Sequence, residues 1–224
     1  MRVREAPGGG RVVEVAPERL AGWFERFAAR HGGCASTAVR GEDVLVRAMD
    51  GATAALDVPF GGLPASAAGE FPGLALDAVH AHLAVPRRTG LVLVRLGGYS
   101  VGIAVGGVVE VSSTGARQVH GRTRKGGSSA GRFARRREGQ ARVALDAAGD
   151  AVARVLLPVA ASLDAVVLGG DRAALDELRA DRRLTALLAR AEPRVLDVPE
   201  PRRAVLDEAA LRARAVEIVV REPT

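Results

Sequence analysis

Apolar positions recur along the chain with two periods, near 3.6 and near 2, and the switches between them mark the predicted elements. Val12 to Val15 reads as a short strand, and Pro17 to Arg30 as an amphipathic helix with Leu20, Trp23, Phe24 and Phe27 on one face and Gly32-Gly33 as its stop. Those aromatics are expected in the core. Asp43 to Arg47 and Thr53 to Val58 flank the turn Asp50-Gly51 as a hairpin, and the Pro- and Gly-rich stretch from Pro59 to Gly73 reads as loop. Leu74 to Leu83 has helical spacing, and Pro86-Arg87-Arg88-Thr89-Gly90 marks the clearest internal boundary.

Beyond that boundary Leu91 to Leu96, Val101 to Val105 and Val108 to Val111 read as three antiparallel strands about the turns Gly97-Gly98 and Gly106-Gly107. A loop from Ser112 to Ser129 precedes a long helix from Ala130 to Leu157. Strands at Ala165 to Leu168, Arg194 to Val198 and Val216 to Val220 then alternate with helices near Ala173 to Ala180 and Ala204 to Ala215. A meander followed by alternating strands and helices predicts an α/β domain with a mixed sheet and helices on both faces, over residues 74–224. Residues 1–73 read as a small α+β N-terminal region.

Composition adds bounds. The chain has 224 residues, 48% hydrophobic and 26% charged, enough for a sizeable core and far from a disordered composition. No apolar run approaches the roughly 20 residues that span a bilayer, and the opening Met-Arg-Val-Arg-Glu-Ala lacks the apolar centre of a signal peptide, so a cytoplasmic location without membrane contact is expected. The single cysteine, Cys34, excludes an internal disulfide, and His31, His80, His82 and His120 lack metal-ligand spacing; no metal and no cofactor is expected. His31 and Cys34 read as a helix terminus with a buried thiol, His80 and His82 as ordinary helix residues, and Tyr99 as packed in its turn. Aromatics at 3% leave little material for stacking platforms.

The charge distribution changes the picture. Arg117, Arg122, Arg124, Lys125, Arg132, Arg135, Arg136, Arg137 and Arg142 face the single acid Glu138, a local balance of 9 − 1 = +8 in a chain whose total is +6. The remainder is 6 − 8 = −2. A near-neutral body with one focused cationic segment fits a polyanion partner, because every neutralised phosphate releases counterions. Within the segment, Gly126-Gly127 supplies backbone freedom for close approach, and Ser128 or Ser129 suits an N-cap at a positively polarised helix start. Arg132, Arg136 and Gln140 share a helical stripe with Arg135 beside it, and His120 borders the loop. The Gly-Lys-Ser/Thr of a nucleotide P-loop is absent.

Gly97-Gly98-Tyr99, Val119-His120-Gly121-Arg122-Thr123, Gly126-Gly127 and Arg132-Phe133-Ala134-Arg135-Arg136-Arg137-Glu138 together resemble the actinobacterial branch of the VLRF family, the Vms-like release factors, themselves related to the catalytic domain of eukaryotic and archaeal peptide-chain release factors. The similarity extends over roughly Leu74 to Val220. It implies an RNase H-like fold and hydrolysis of the peptide-tRNA ester on large ribosomal subunits, in rescue of stalled subunits. Gly126, Gly127, Ser128 and Ser129 would then form the catalytic loop, and Arg122, Arg124, Lys125, Arg132, Arg135, Arg136 and Arg137 would bind RNA. The implied partners are the large subunit, peptidyl-tRNA and ribosomal RNA, with the protein acting as a monomer.

One departure stands out. Release factors place glutamine after the Gly-Gly pair, and bacterial relatives carry it just before the Arg-Phe run, where this chain has Ser128-Ser129-Ala130-Gly131. A ribosome- or tRNA-binding factor without hydrolysis is therefore a second reading. A third is a metal nuclease using Asp146 and Asp150, one helical turn apart, for which solvated or helix-pairing acids are the plainer interpretation; Asp164 and Asp171 flank a strand in ordinary loop positions.

Overall fold

A computed structural model of the chain describes residues 2–41, 43–95, 97–116 and 130–223, the side chains of 116 and 130–141 excepted. In chain order the elements are β1 (Arg2–Glu5), β2 (Arg11–Val15), α1 (Leu20–Arg30), β3 (Cys34–Arg40), β4 (Asp43–Ala48), β5 (Thr53–Asp57), β6 (Gly69–Pro72) and α2 (Asp77–Ala84). There follow β7 (Arg88–Arg95), β8 (Gly98–Val105), β9 (Val108–Ala116), α3 (Ala130–Leu156) and β10 (Ala165–Gly170). The chain closes with α4 (Arg172–Arg179), α5 (Thr185–Leu188), β11 (Ala191–Leu196), α6 (Arg203–Ala213) and β12 (Val216–Arg221).

Two compact units result, one of Met1–Pro86 with Leu211–Thr224, the other of Arg87–Ala210. The boundary expected between residues 73 and 74 thus falls at Pro86, in the Pro-Arg-Arg-Thr-Gly stretch, and the C-terminal strand returns to the first unit. The physical reason lies in packing. Val79 and Leu83 of α2, and Val216, Ile218 and Val220 of β12, are buried in one core with Leu20, Phe24 and Phe27 of α1.

The first unit is a seven-stranded antiparallel sheet, ordered β1-β2-β12-β5-β4-β3-β6. The expected hairpin is β4 and β5. Two departures come from polar strands: Cys34–Arg40 is β3, and β6 lies inside the stretch expected as loop, paired through Ala38↔Glu70 and Val39↔Gly69. The core side contains Trp23, Phe24 and Phe27 in mutual contact, with ring centroids 4.8 to 6.1 Å apart. At the end of α1, His31 is buried, its Nδ1 2.8 Å from Asp50 Oδ2.

The second unit is a five-stranded mixed sheet ordered β11-β10-β7-β8-β9. β7, β8 and β9 form the predicted meander, while β10 runs parallel to β7 and β11 parallel to β10. Counted within the sheet, this is the 3-2-1-4-5 order of an RNase H-like fold. Ala148, Ala151, Val152 and Leu156 of α3 and Ala174, Leu175 and Leu178 of α4 cover one face, against Val92, Val94, Val101 and Ile103. On the other, Leu206 of α6 lies against Gly102, where a Cβ would come within 2.8 Å of Leu206 Cδ2.

Candidate functional site

The site predicted from sequence hangs on the connection from β9 to α3. Its seven loop residues Arg122, Arg124, Lys125, Gly126, Gly127, Ser128 and Ser129, with His120, lie outside the described residues. Arg132, Arg135, Arg136 and Arg137 all fall within the first two and a half turns of the helix Ala130–Leu156, whose predicted span agrees to within one residue. What the structure describes fully is the frame from which this segment departs.

That frame is one end of the mixed sheet. Register aligns Gly170 with Val94, Arg95 with Gly98, and Gly98 with Ala116, so the carboxyl ends of β7 and β10 meet the end of β9. Crevices beyond the carboxyl ends of parallel strands are where α/β sheets place ligand-binding loops. Gly170 has φ +106°, and the carbonyl oxygen of Val94 occupies the position of its missing Cβ, so only glycine fits. Asp171 N–H donates to that carbonyl at 2.8 Å, while the Asp171 carboxylate accepts from Ala173 N–H at 3.2 Å and caps α4. Arg95 Nη1 donates to the carbonyl of Val198 at 2.7 Å, tying the end of β7 to the segment after β11.

The loop's first stem is more ordered than its composition suggests. Ser112 to Ala116, expected as loop, continues β9 opposite Gly102 to Gly98. Small polar residues suffice there because their partners are specific. The Ser100 and Thr114 hydroxyls are 2.7 Å apart, Arg154 Nη2 of α3 donates to Ser113 Oγ at 2.9 Å, and Arg203 of α6 donates from Nη1 to Ser112 Oγ at 3.0 Å and from Nη2 to the Val109 carbonyl at 3.2 Å. Successive serines of a strand point to opposite faces, so the two arginines clamp the edge strand from both sides. Neither arginine was legible as a clamp, since each partner lies 41 or more positions away. Tyr99, expected to pack in its turn, instead lies on β8 and packs its ring over Gly115, one residue from the end of β9.

The four acids of the nuclease reading are each engaged differently. Asp150 Oδ1 accepts from Arg183 Nη1 at 2.8 Å, and Asp181 Oδ2 from Arg183 Nη2 at 2.7 Å. The guanidinium holds the Asp181 carboxyl below the usual carboxylate range. Gly149 leaves room for this pair against α3, since a Cβ there would lie 3.2 Å from Asp181 Oδ2. Asp146 lines an open cleft of about 510 Å³ with Arg142, Glu177 and Asp181. Asp164 accepts from Arg88 N–H at 2.7 Å, and Asp171 caps α4. The central strands β7, β8 and β10 contain no acid, and among the described residues no three His, Cys, Asp or Glu gather as metal ligands.

The remaining sequence candidates are structural. His82 Nε2 lies 2.9 Å from the Pro59 carbonyl oxygen. Cys34 is half-buried on β3, and burial pushes its thiol up from the ordinary value. Among the described residues no helix is long and apolar enough to cross a membrane.

Two solved structures are similar: an archaeal translation termination factor, aRF1, at 17% identity over 76% of this chain and 47% of that one with a TM-score of 0.44, and an archaeal protein at 16% over 75% and 51% with a TM-score of 0.42. The chain thus spans about half the length of each. No curated protein matches. The model of the family described as "Actinobacteria/chloroflexi VLRF1 release factor" matches residues 87–219, from the start of the mixed-sheet unit into the last strand. With more than half of its length matched, the chain belongs to the actinobacterial and chloroflexi VLRF1 release-factor family.

Proposed function

We propose that the protein is a release-factor-type peptidyl-tRNA hydrolase that cleaves the ester between nascent peptide and tRNA on stalled large ribosomal subunits in the cytoplasm. The observation that carries this reading is a thirteen-residue connection, 117–129, with four cations, no acid and a Gly-Gly pair, set between a clamped edge strand and an arginine-rich helix start in a chain of this family. Arg122, Arg124, Lys125, Arg132, Arg135, Arg136 and Arg137 hold tRNA and ribosomal RNA phosphates, giving affinity and register rather than sequence selection. Gly126 and Gly127 bring main-chain amides to the ester, where they stabilise the developing oxyanion. Ser128 and Ser129 hydroxyls position the water. Water adds to the carbonyl carbon, the acyl-oxygen bond breaks, and the ribose hydroxyl leaves with a proton. Positioning supplies the rate, so no strongly perturbed acid or base is required.

The test is peptide release from purified large subunits carrying peptidyl-tRNA, at one fixed salt. Release by the natural chain, lost in Gly127→Ala, is the expected result; no release by the natural chain overturns the hydrolase reading. One observation favours a second reading, occupancy of the same site without hydrolysis: the glutamine expected near the Gly-Gly pair is replaced by Ser128-Ser129-Ala130-Gly131. Subunit binding without release, with activity gained in Ala130→Gln, is its signature.

A further inference from the structure

The cationic segment is not the molecule's one organised row of arginines. At about 100° per residue, Arg19, Arg26 and Arg30 fall within about 40° of one another on the solvent side of α1 and the single turn before it. All three side chains are exposed, and none has an acid partner among the described residues. Acids are near in sequence and turn elsewhere. Glu18, next to Arg19, pairs with Arg214 at 3.1 Å, and Glu25 lies about 100° round the helix from Arg26. Two other arginines of this unit pair with acids, Arg4 with Glu217 at 2.9 Å and Arg11 with Glu222 at 3.5 Å, while Arg40 and Arg47, exposed on separate strands, form no row.

Two further features set this row apart from a solvated helix face. Arg26 and Arg30 are like charges at i,i+4, an unfavourable spacing that the helix carries without an intervening acid. Gly22, a poor helix residue, stands one turn before Arg26, whose Nη1 lies 3.5 Å from where a Cβ at Gly22 would be. The guanidinium therefore lies back along the row toward Arg19. Trp23 borders the row, with one face of its ring stacked on Phe27 at 5.6 Å and 11° and its side chain half-buried against the core.

We propose that α1 is a second RNA-docking element, whose Arg19, Arg26 and Arg30 hold successive phosphates along one strand of an A-form RNA helix. Spaced cations without a stacking platform read shape and backbone, which is how proteins recognise duplex RNA. The row is about 16 Å long at 1.5 Å per residue, enough for several phosphates. The assignment concerns RNA binding alone and does not depend on ester hydrolysis.

The experiment is the salt dependence of binding between the full chain and a labelled hairpin RNA, measured by fluorescence anisotropy. The triple variant Arg19→Ala, Arg26→Ala and Arg30→Ala is expected to lower the slope of log K against log salt by about 2 to 3, three contacts at about 0.9 each, with an unchanged thermal melt. The corresponding triple Lys variant is expected to keep the slope. An unchanged slope in the Ala variant overturns the proposal, as does an equal loss in the Lys variant or a preference for a single-stranded probe. An unchanged RNA slope with lost binding to polyglutamate would assign the row to an acidic protein and overturn it too. Peptide release can fail while the slope still changes, so the two readings fall separately.

Discussion

Tyr99 and Gly115 face each other across β8 and β9, and the phenol ring fills the space that a side chain at 115 would need: a Cβ there would lie 2.5 Å from Cε1 and 2.8 Å from the hydroxyl oxygen. Gly115→Ala therefore has to expel the ring, with an overpacking loss of about 1–3 kcal/mol. In a Tyr99→Ala background the same change is expected to be nearly free. Urea denaturation of the four-member cycle reads the coupling directly, and additive losses would contradict the packing described.

Gly170 combines φ +106° with the Val94 carbonyl where a Cβ would go. Gly170→Ala should destabilise the second unit by about 2–3 kcal/mol, strain and steric conflict acting together. A melting temperature equal to that of the natural chain would show that the strand end has another accessible arrangement.

Arg212 and Glu14 form a two-pronged pair at 2.9 and 3.1 Å with side chains only 11% and 12% exposed. Removing the cation leaves a carboxylate largely shielded from water, so Arg212→Met is expected to cost about 3 kcal/mol. The double variant Arg212→Met with Glu14→Leu should recover most of it. Equal losses in single and double variants would show that the packing, not the stranded charge, decides the effect.

Two carboxyls are expected to contribute to the acid limb of stability. Ala52 N–H and the His31 ring lower the pKa of Asp50, and Arg183 lowers that of Asp181. Both folded values lie below the ordinary aspartate value of about 3.9, so the folded state binds fewer protons than the unfolded one in this range. Their stabilisation is present above about pH 4 and disappears as pH falls through the lower, folded values. Asp50→Asn combined with Asp181→Asn should flatten the unfolding free energy against pH below that point; an unchanged acid limb would assign it to other groups.

Much of the second unit was legible because its signals are local. The meander follows from apolar alternation about Gly97-Gly98 and Gly106-Gly107, and α3 from a run of helix formers with Ala148 and Val152 on one stripe. Partner choice was not. Val216-Glu217-Ile218-Val219-Val220 announces a strand but says nothing of which sheet receives it, and it pairs with β2 and β5 rather than extending the mixed sheet. Polar strands were hidden for a different reason: Ser112 to Ala116 carries no apolar period, and its pairing with β8 and its contacts with Tyr99, Ser100, Arg154 and Arg203 lie elsewhere in the sequence. For the candidate site, the charge count points to the segment as an expectation, while Arg154 and Arg203, which hold its stem, carried no sequence signal.

The place of β12, between β2 and β5, has a consequence for biosynthesis. The second unit is an insertion, complete by Ala210, whereas the first unit's sheet stays split until Val216–Arg221 emerges. During translation β1-β2 and β5-β4-β3-β6 wait as two fragments, each with a bare inner edge, for as long as the ribosome needs to make well over a hundred further residues. Bare edges of this kind invite mispairing. A chain of this release-factor family therefore closes its first sheet only after its second unit is complete.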